Sequence, residues 1–321
     1  MNYIIDFSNI YIIAYSADPS QNANGEHVGG ITGFLKIIQK LIREKPPEKI
    51  YVVYDGKGGS RKRKEMNSGY KEGRSVPKPL RLNRIFTYDS PEQENESRRQ
   101  QQAALVCVLN SLPVHQIILE GVEADDIISF LSQKFSKNNE KVFIISNDKD
   151  FFQLLNENIS IYRPAKKSFL SKEDIVKEFN ISPSNFVLAR SIEGDNSDNL
   201  KGVPGVGLKG IANKYPELKE DKWVSIPEFI TLTEEKQKEK SYKTYDSILN
   251  NKDIIEKNYQ IMQLYAPLID YNNMQILEDE LEKKPKFDMT AFYSHLTMNG
   301  IHGQHFRELV VHFIKTETTR K

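Results

Sequence analysis

At 321 residues with 38% hydrophobic and 10% aromatic content, the chain has enough apolar material for one large domain or two smaller ones, which excludes disorder as its general state. The net charge of +1 hides a segregation: residues 57–84 hold ten basic side chains against two acidic ones, Glu65 and Glu72. A single cysteine, Cys107, excludes a disulfide framework and any multi-cysteine metal site, fits a reducing compartment, and is expected in the core because its neighbours are apolar.

The first seventeen residues are apolar, but Asp6 interrupts them and no Lys or Arg precedes Lys36. That pattern reads as an opening strand rather than a signal peptide. No apolar run of about eighteen residues occurs, so no transmembrane helix is expected, and the chain reads as cytoplasmic.

Strand-like runs at 3–7, 50–54, 116–119 and 142–146 alternate with helical patterns at 31–42 and 123–135. This alternation predicts an α/β fold with a mainly parallel sheet over residues 1–170. The basic stretch interrupts it, followed by Pro77, Pro79 and a polar helix-like run at 91–109, so residues 57–100 read as an insertion over the sheet. Past residue 170 strand signals vanish, and 171–321 is expected to be helical, with a glycine turn at 202–210.

Acidic residues recur where this topology would gather them. Asp6 ends the first strand and Asp55 the second; Glu123, Asp125 and Asp126 open the helix after the third strand-like run at 116–119; Asp148 and Asp150 follow the strand at 142–146. Loops at the carboxyl ends of parallel strands meet in one crevice, so these seven groups should converge. Taken singly, the helix-start acids would complement a dipole and the aspartates after the strand would cap a turn. Asp6, in what should be a buried strand, resists that reading. Clustered carboxylates need a cation among them, and hard oxygen donors without Cys or His favour Mg²⁺ or Mn²⁺ over zinc. Two such ions about 4 Å apart serve in-line phosphoryl displacement.

Gly205, Gly207 and Gly210 match the dinucleotide spacing, but the preceding polar run 193–199 cannot be the buried strand that fingerprint requires. A phosphate loop fails too, since Leu208 stands where Lys is needed. The remaining reading is a hairpin between helices in which Gly202, Gly205, Gly207 and Lys209 face phosphate oxygens of a duplex without reading sequence. Asp195 and Asp198 just before it offer further metal ligands. A side chain at Gly207 would add strain as well as bulk.

The basic stretch, with Arg61, Lys62, Arg63, Lys64, Lys71 and Arg74, is a solvated face or a track that draws a polyanion toward the acidic centre. Tyr70 within it could stack on an exposed base. Four histidines, His295, His302, His305 and His312, crowd the C-terminal region. Exposed positions on a helix at 306–315 explain them better than zinc does.

Together the segments IIDFSN, VVYDG, GYKEGR, GVEADD, ISNDKDFFQL and IEGDNSDNLKGVPGVGLKG closely resemble, in order and spacing over residues 3–215, the 5′-nuclease superfamily. That superfamily includes phage 5′-3′ exonucleases and ribonuclease H, the 5′-nuclease domain of bacterial DNA polymerase I, and flap endonucleases. The resemblance implies a structure-specific, metal-dependent 5′-nuclease with a helical arch over its core and a helix-three-turn-helix at about 191–215. It places Asp55, Glu123, Asp125 and Asp126 around one metal with Asp6 acting through water, and Asp148, Asp150, Asp195 and Asp198 at a second. It makes Lys71 and Arg74 the basic pair at the scissile phosphate and Tyr70 a stacking aromatic. It also implies a potassium ion at the helix-three-turn-helix. Branched or 5′-ended DNA is the implied partner, with RNA–DNA hybrid and a single-strand-binding or other replication protein as further candidates. The absence of a polymerase region suggests a stand-alone enzyme of the phage type. Two rivals stay open: an RNA-directed ribonuclease, which leaves the glycine hairpin idle, and a structural DNA-binding protein, which leaves nine carboxylates unexplained.

Overall fold

Asp6 closes the first strand and opens the first helix. In the computed structural model, which describes residues 1–72 and 88–319, β1 (Asn2–Asp6) runs without a loop into α1 (Phe7–Ala17). The Asp6 carboxylate makes this turn by accepting the Asn9 N–H at 3.1 Å, an N-cap contact. The sequence reading did not find α1. Its buried residues Phe7, Ile10, Tyr11, Ala14 and Tyr15 keep helical spacing, but Ile10, Ile12 and Ile13 are β-branched and blur it.

The chain continues through α2 (Gly29–Glu44), β2 (Lys49–Tyr54), α3 (Arg61–Met66), α4 (Pro91–Asn110), β3 (His115–Ile118), α5 (Ala124–Lys137) and β4 (Val142–Ile145). A hairpin follows that the sequence reading also missed, β5 (Ile159–Arg163) and β6 (Ser168–Leu170). These six strands form one sheet in the order β3-β2-β1-β4-β5-β6, parallel except for β6. The expected α/β fold with a mainly parallel sheet is what the chain adopts.

Both faces of the sheet are covered, as its run of five parallel strands requires. Along β1, Tyr3 and Ile5 pack with α1, α2 and α4, whereas Ile4 joins Val53, Ile117 and the apolar side of α5. That alternation is the two-residue period of a strand. Because β2 and β4 flank β1 on opposite sides, the winding reverses at the carboxyl end of β1, the place where such sheets open a crevice.

The remaining elements are α6 (Lys172–Phe179), α7 (Pro183–Glu193), the two-residue strands β7 (Gly194–Asp195) and β8 (Leu200–Lys201), α8 (Leu208–Lys214), α9 (Ile226–Glu239), α10 (Lys243–Leu249), α11 (Lys252–Met262), α12 (Tyr271–Glu282), α13 (Met289–Met298) and α14 (Arg307–Thr319). They extend the core rather than form a second one. Phe186, Ile211, Phe229 and Leu277 share a cluster with sheet residues, and Phe292, Leu296, Phe306 and Phe313 share another with α1 and α2. Cys107 is exposed, contrary to expectation: it lies on α4 between buried Leu105 and Val108, and helical periodicity turns it outward.

Candidate active site

A crevice of about 900 Å³ opens over the carboxyl ends of β1, β2 and β4, and Asp6, Asp55, Asp125, Asp148, Asp195, Asp198 and Lys71 line it. Four of these acids are held by their local structure. Asp6 Oδ2 accepts the Ser146 hydroxyl at 3.0 Å. Asp55 accepts the Ser8 hydroxyl at 3.1 Å and the Ala124 N–H at 3.0 Å, which ties the end of β2 to the start of α5. Asp148 accepts the Asp150 N–H at 2.9 Å, and Asp195 accepts the Ser197 N–H at 2.7 Å.

Burial and mutual repulsion dominate the electrostatics. Asp6 is pushed up to about 7 by burial, then by Asp148 and Asp55, against the Asn9 N–H that favours its anion. Burial and Asp148 raise Asp125 well above the usual range, with Lys71 opposing. Asp150 is pushed up to about 8 by burial and Asp148, although Arg190 partly offsets this. Among the described residues no three such groups stand close enough to form a finished metal shell. Still, hard oxygen donors that face one cavity, with Asp6 and Asp125 among them holding their protons tightly, are a donor set that fits divalent cations, whose charge removes the repulsion.

Behind the crevice wall lies an ion cluster that the sequence reading did not find. Arg63 is 3% exposed, and its Nη1 donates to Glu123 Oε2 at 2.7 Å and Asp126 Oδ2 at 2.6 Å. Its Nη2 reaches Asp126 Oδ1 at 3.1 Å, and its Nε donates to the Ile261 carbonyl at 2.9 Å. Asp126 also accepts the Leu268 N–H at 2.9 Å. Both carboxylates expected as metal ligands are therefore neutralised by protein, and neither lines the crevice. Burial opposes the charge on Arg63, but Asp126 and Glu123 outweigh it and raise its pKa. A run of four basic residues gives no cue that one of them points inward.

Lys71 joins the same cluster from the crevice side, with Nζ 2.6 Å from Glu123 Oε1 and a left-handed backbone at φ +54°. Burial disfavours its charge, yet Asp125 and Glu123 more than compensate and hold its pKa above the ordinary lysine value. Its N–H donates to the Asp198 carbonyl at 2.9 Å, joining the basic segment to the turn before the glycine hairpin. Tyr70 departs from expectation. It is 3% exposed, packs with Val187 and Leu200, and donates its hydroxyl to Glu123 at 3.2 Å, so its ring offers no free face for a base. Arg74 lies outside the described residues. Arg61 and Lys64 are exposed on α3, and Lys62 donates to the Leu268 carbonyl at 2.9 Å.

The glycines of the hairpin differ in what they do. A Cβ on Gly202 would fall 1.9 Å from the Glu193 carbonyl oxygen, so that position demands glycine for close packing. Gly205 needs it for φ +74°. Gly207 has an extended backbone, and a Cβ there would meet only Glu193 Oε1 at 3.8 Å, so the strain expected at this position does not arise. Gly205, Gly207 and Lys209 are exposed.

Residues 1–180 match the family model described as "5'-3' exonuclease, N-terminal resolvase-like domain". The chain belongs to the 5′-3′ exonuclease family. It is 28% identical over 284 residues to a 5′-3′ exonuclease of Aquifex aeolicus, covering 88% of this chain and 86% of that protein. It is 29% identical over 263 residues to DNA polymerase I of Borreliella burgdorferi, covering 80% of this chain and 24% of the polymerase. Its fold is that of the phage T5 flap endonuclease, with a TM-score of 0.68 at 18% identity, over 88% of this chain and 98% of the phage protein; that structure is a pseudo-enzyme–product complex with DNA and metal ions.

In this 5′-3′ exonuclease the crevice gathers six of the nine carboxylates singled out in the sequence, whereas Glu123, Asp126 and Asp150 are not part of its lining. It also contains four basic residues the sequence reading passed over, Lys149, Arg163, Lys166 and Arg190. Arg190 pairs with Asp150 at 3.6 Å and with Asp195, and those acids raise its pKa although burial opposes. No described helix is long and apolar enough to cross a membrane.

Proposed function

We propose that this exonuclease hydrolyses phosphodiester bonds near the 5′ ends of DNA, including 5′-flaps at branched duplexes, with two Mg²⁺ ions or Mn²⁺ in their place. The observation that carries the reading is the crevice itself, where Asp6, Asp55, Asp125 and Asp148 gather beside Lys71, with Asp6 buried, Asp125 half-buried and both repelled by their neighbours. The phage T5 flap endonuclease, which shares the fold, is described with DNA and metal ions. Asp55 and Asp125, with Asp6 beside them, would hold one ion, and Asp148, Asp195 and Asp198 the other. Such ions supply activated water and charge stabilisation at the leaving oxygen.

The chain's own groups do the rest. Glu123 and Asp126 act through Arg63 and Lys71, fixing the base of the basic segment against α5. Lys71 presents its ammonium to the phosphate that enters the crevice, where developing negative charge makes it worth most. The exposed backbone of Gly205 and Gly207, with Lys209, contacts phosphates of the adjoining duplex. Arg61 and Lys64 add positive charge on the approach.

Product sizing on a 5′-labelled flap tests this reading. Mg²⁺ should give cleavage that a chelator abolishes, with short 5′ products from exonuclease action and an intact released flap from endonuclease action. An enzyme equally active in chelator would overturn the metal assignment, and one that cleaves only RNA would overturn the substrate.

A further inference from the structure

The crevice carries a second set of charges on the side away from Lys71. β5 ends at Arg163, at the same edge of the sheet as Asp6 and the loop holding Asp148, and the turn into β6 brings Lys166 to the same wall. Arg163 is 8% exposed and poorly satisfied for a buried guanidinium. Its Nη2 meets Glu178 Oε2 only at 3.4 Å, and its Nε is buried without a hydrogen-bond partner among the described residues. Lys166 stands 3.8 Å from the other oxygen of the same carboxylate, its own side chain 60% exposed. Removing a guanidinium from water costs several kcal/mol unless close hydrogen bonds replace those it loses. Contacts this long to a partly exposed acid replace few of them.

Two cations that converge loosely on one oxyanion, one of them a planar fork, make a site shaped for a tetrahedral phosphate with more than one oxygen to offer them. We propose that Arg163 and Lys166 bind a nucleic-acid phosphate next to the scissile one, and that Glu178 keeps its place until the strand arrives. The inference rests on the crevice being the cleavage site. Sheet order sets the distance: β5 lies two strands from β1, about 10 Å at normal strand spacing, a short step along a backbone crossing the sheet edge. On the opposite side of the acids Lys71 would hold the strand, so the acidic floor lies between two basic banks.

The test is affinity in Ca²⁺ for 5′-flap DNA carrying one uncharged methylphosphonate at each linkage near the cleavage point in turn, and for flaps ending in phosphate or hydroxyl. Wild-type protein should lose about tenfold at the one position these two cations hold, apart from any loss at the scissile linkage itself. Arg163→Gln and Lys166→Ala should bind intact DNA more weakly by a similar factor and show no further loss at that same position. If it is an internal linkage, the site takes a phosphodiester; if it is the 5′ end, a terminal phosphate. Lys166→Ala, on the surface, carries the test should Arg163→Gln not fold. Glu178→Gln should bind intact DNA several-fold more tightly. Variants that lose as much as wild type at every position, or a Glu178→Gln that binds no better, would overturn the proposal. Wild-type Mg²⁺-dependent cleavage of the same flaps reports separately on the crevice as the cleavage site.

Discussion

Arg63 clasps both oxygens of Asp126, Nη1 at 2.6 Å and Nη2 at 3.1 Å, with all three residues of its cluster, Glu123 included, almost wholly buried. The pair turns a surface-like basic segment into a fixed wall of the crevice. Arg63→Met keeps much of the volume but leaves the buried Glu123 and Asp126 with one cation fewer. Breaking a buried pair in this way typically costs about 3–5 kcal/mol. Urea unfolding should show that loss. Arg61, on the same helix but exposed and paired with Glu65, should shift stability by under about 1 kcal/mol when changed to Ala. Equal, small effects at both positions would contradict the buried cluster.

The raised carboxylates make metal-free stability fall with pH. Below about pH 4, folded and unfolded chains both hold these protons and no penalty exists. As pH rises, the unfolded chain ionises first while Asp6, near 7, and Asp150, near 8, keep their protons, so the folded state loses ground until about pH 8. Thermal melting in chelator should therefore fall across about pH 5–8, and Asp6→Asn should flatten part of that slope. Added Mg²⁺ should raise the melting temperature more at about pH 8 than at about pH 6, because ionised carboxylates bind it. A slope unchanged by Asp6→Asn would refute the role of that residue.

How far this site could be read from sequence depends on what fixes each residue. Asp6, Asp55, Asp125 and Asp148 were legible because strand ends in a parallel sheet must meet, and the topology alone brings them together. Arg63 was not, since its inward turn depends on the Ile261 carbonyl, 198 residues further along the chain. Tyr70 misled for the related reason that an aromatic among lysines looks exposed, while the tertiary fold gives it Val187 and Leu200 as neighbours. The β5–β6 hairpin escaped because polar Ser160, Pro164 and two lysines dilute the alternation in a short edge segment.

The glycines separate folding from binding. Gly202→Ala should destabilise the hairpin, because its new methyl meets backbone rather than a movable side chain. Gly207→Asp should leave melting nearly unchanged and weaken duplex affinity measured in Ca²⁺, since only its charge, not its size, opposes an approaching phosphate. Full affinity in a folded Gly207→Asp protein would mean the hairpin is a structural connection only.

Lys71 distinguishes a catalytic contact from one more charge on the approach. It lines the crevice, with Nζ on Glu123 and its backbone N–H on the Asp198 carbonyl, so its ammonium is fixed beside the acids. Lys62, nine residues earlier, stands outside the crevice lining and is satisfied by the Leu268 carbonyl. If Lys71 meets the scissile phosphate, its charge counts most in the transition state, and Lys71→Ala should lower the single-turnover rate at saturating enzyme by about a hundredfold or more. Lys62→Ala should leave that rate near wild type. Because Lys71→Ala also leaves one oxygen of Glu123 without its cation, melting curves must accompany the kinetics, and Lys71→Arg, which keeps the charge, should recover part of the rate. Affinity in Ca²⁺ completes the comparison, since a lysine that serves only as attraction would weaken binding and lower the salt dependence by about one unit while sparing the rate. Near-wild-type single-turnover rates for both alanine variants would remove Lys71 from the reaction and leave the acids to act without it.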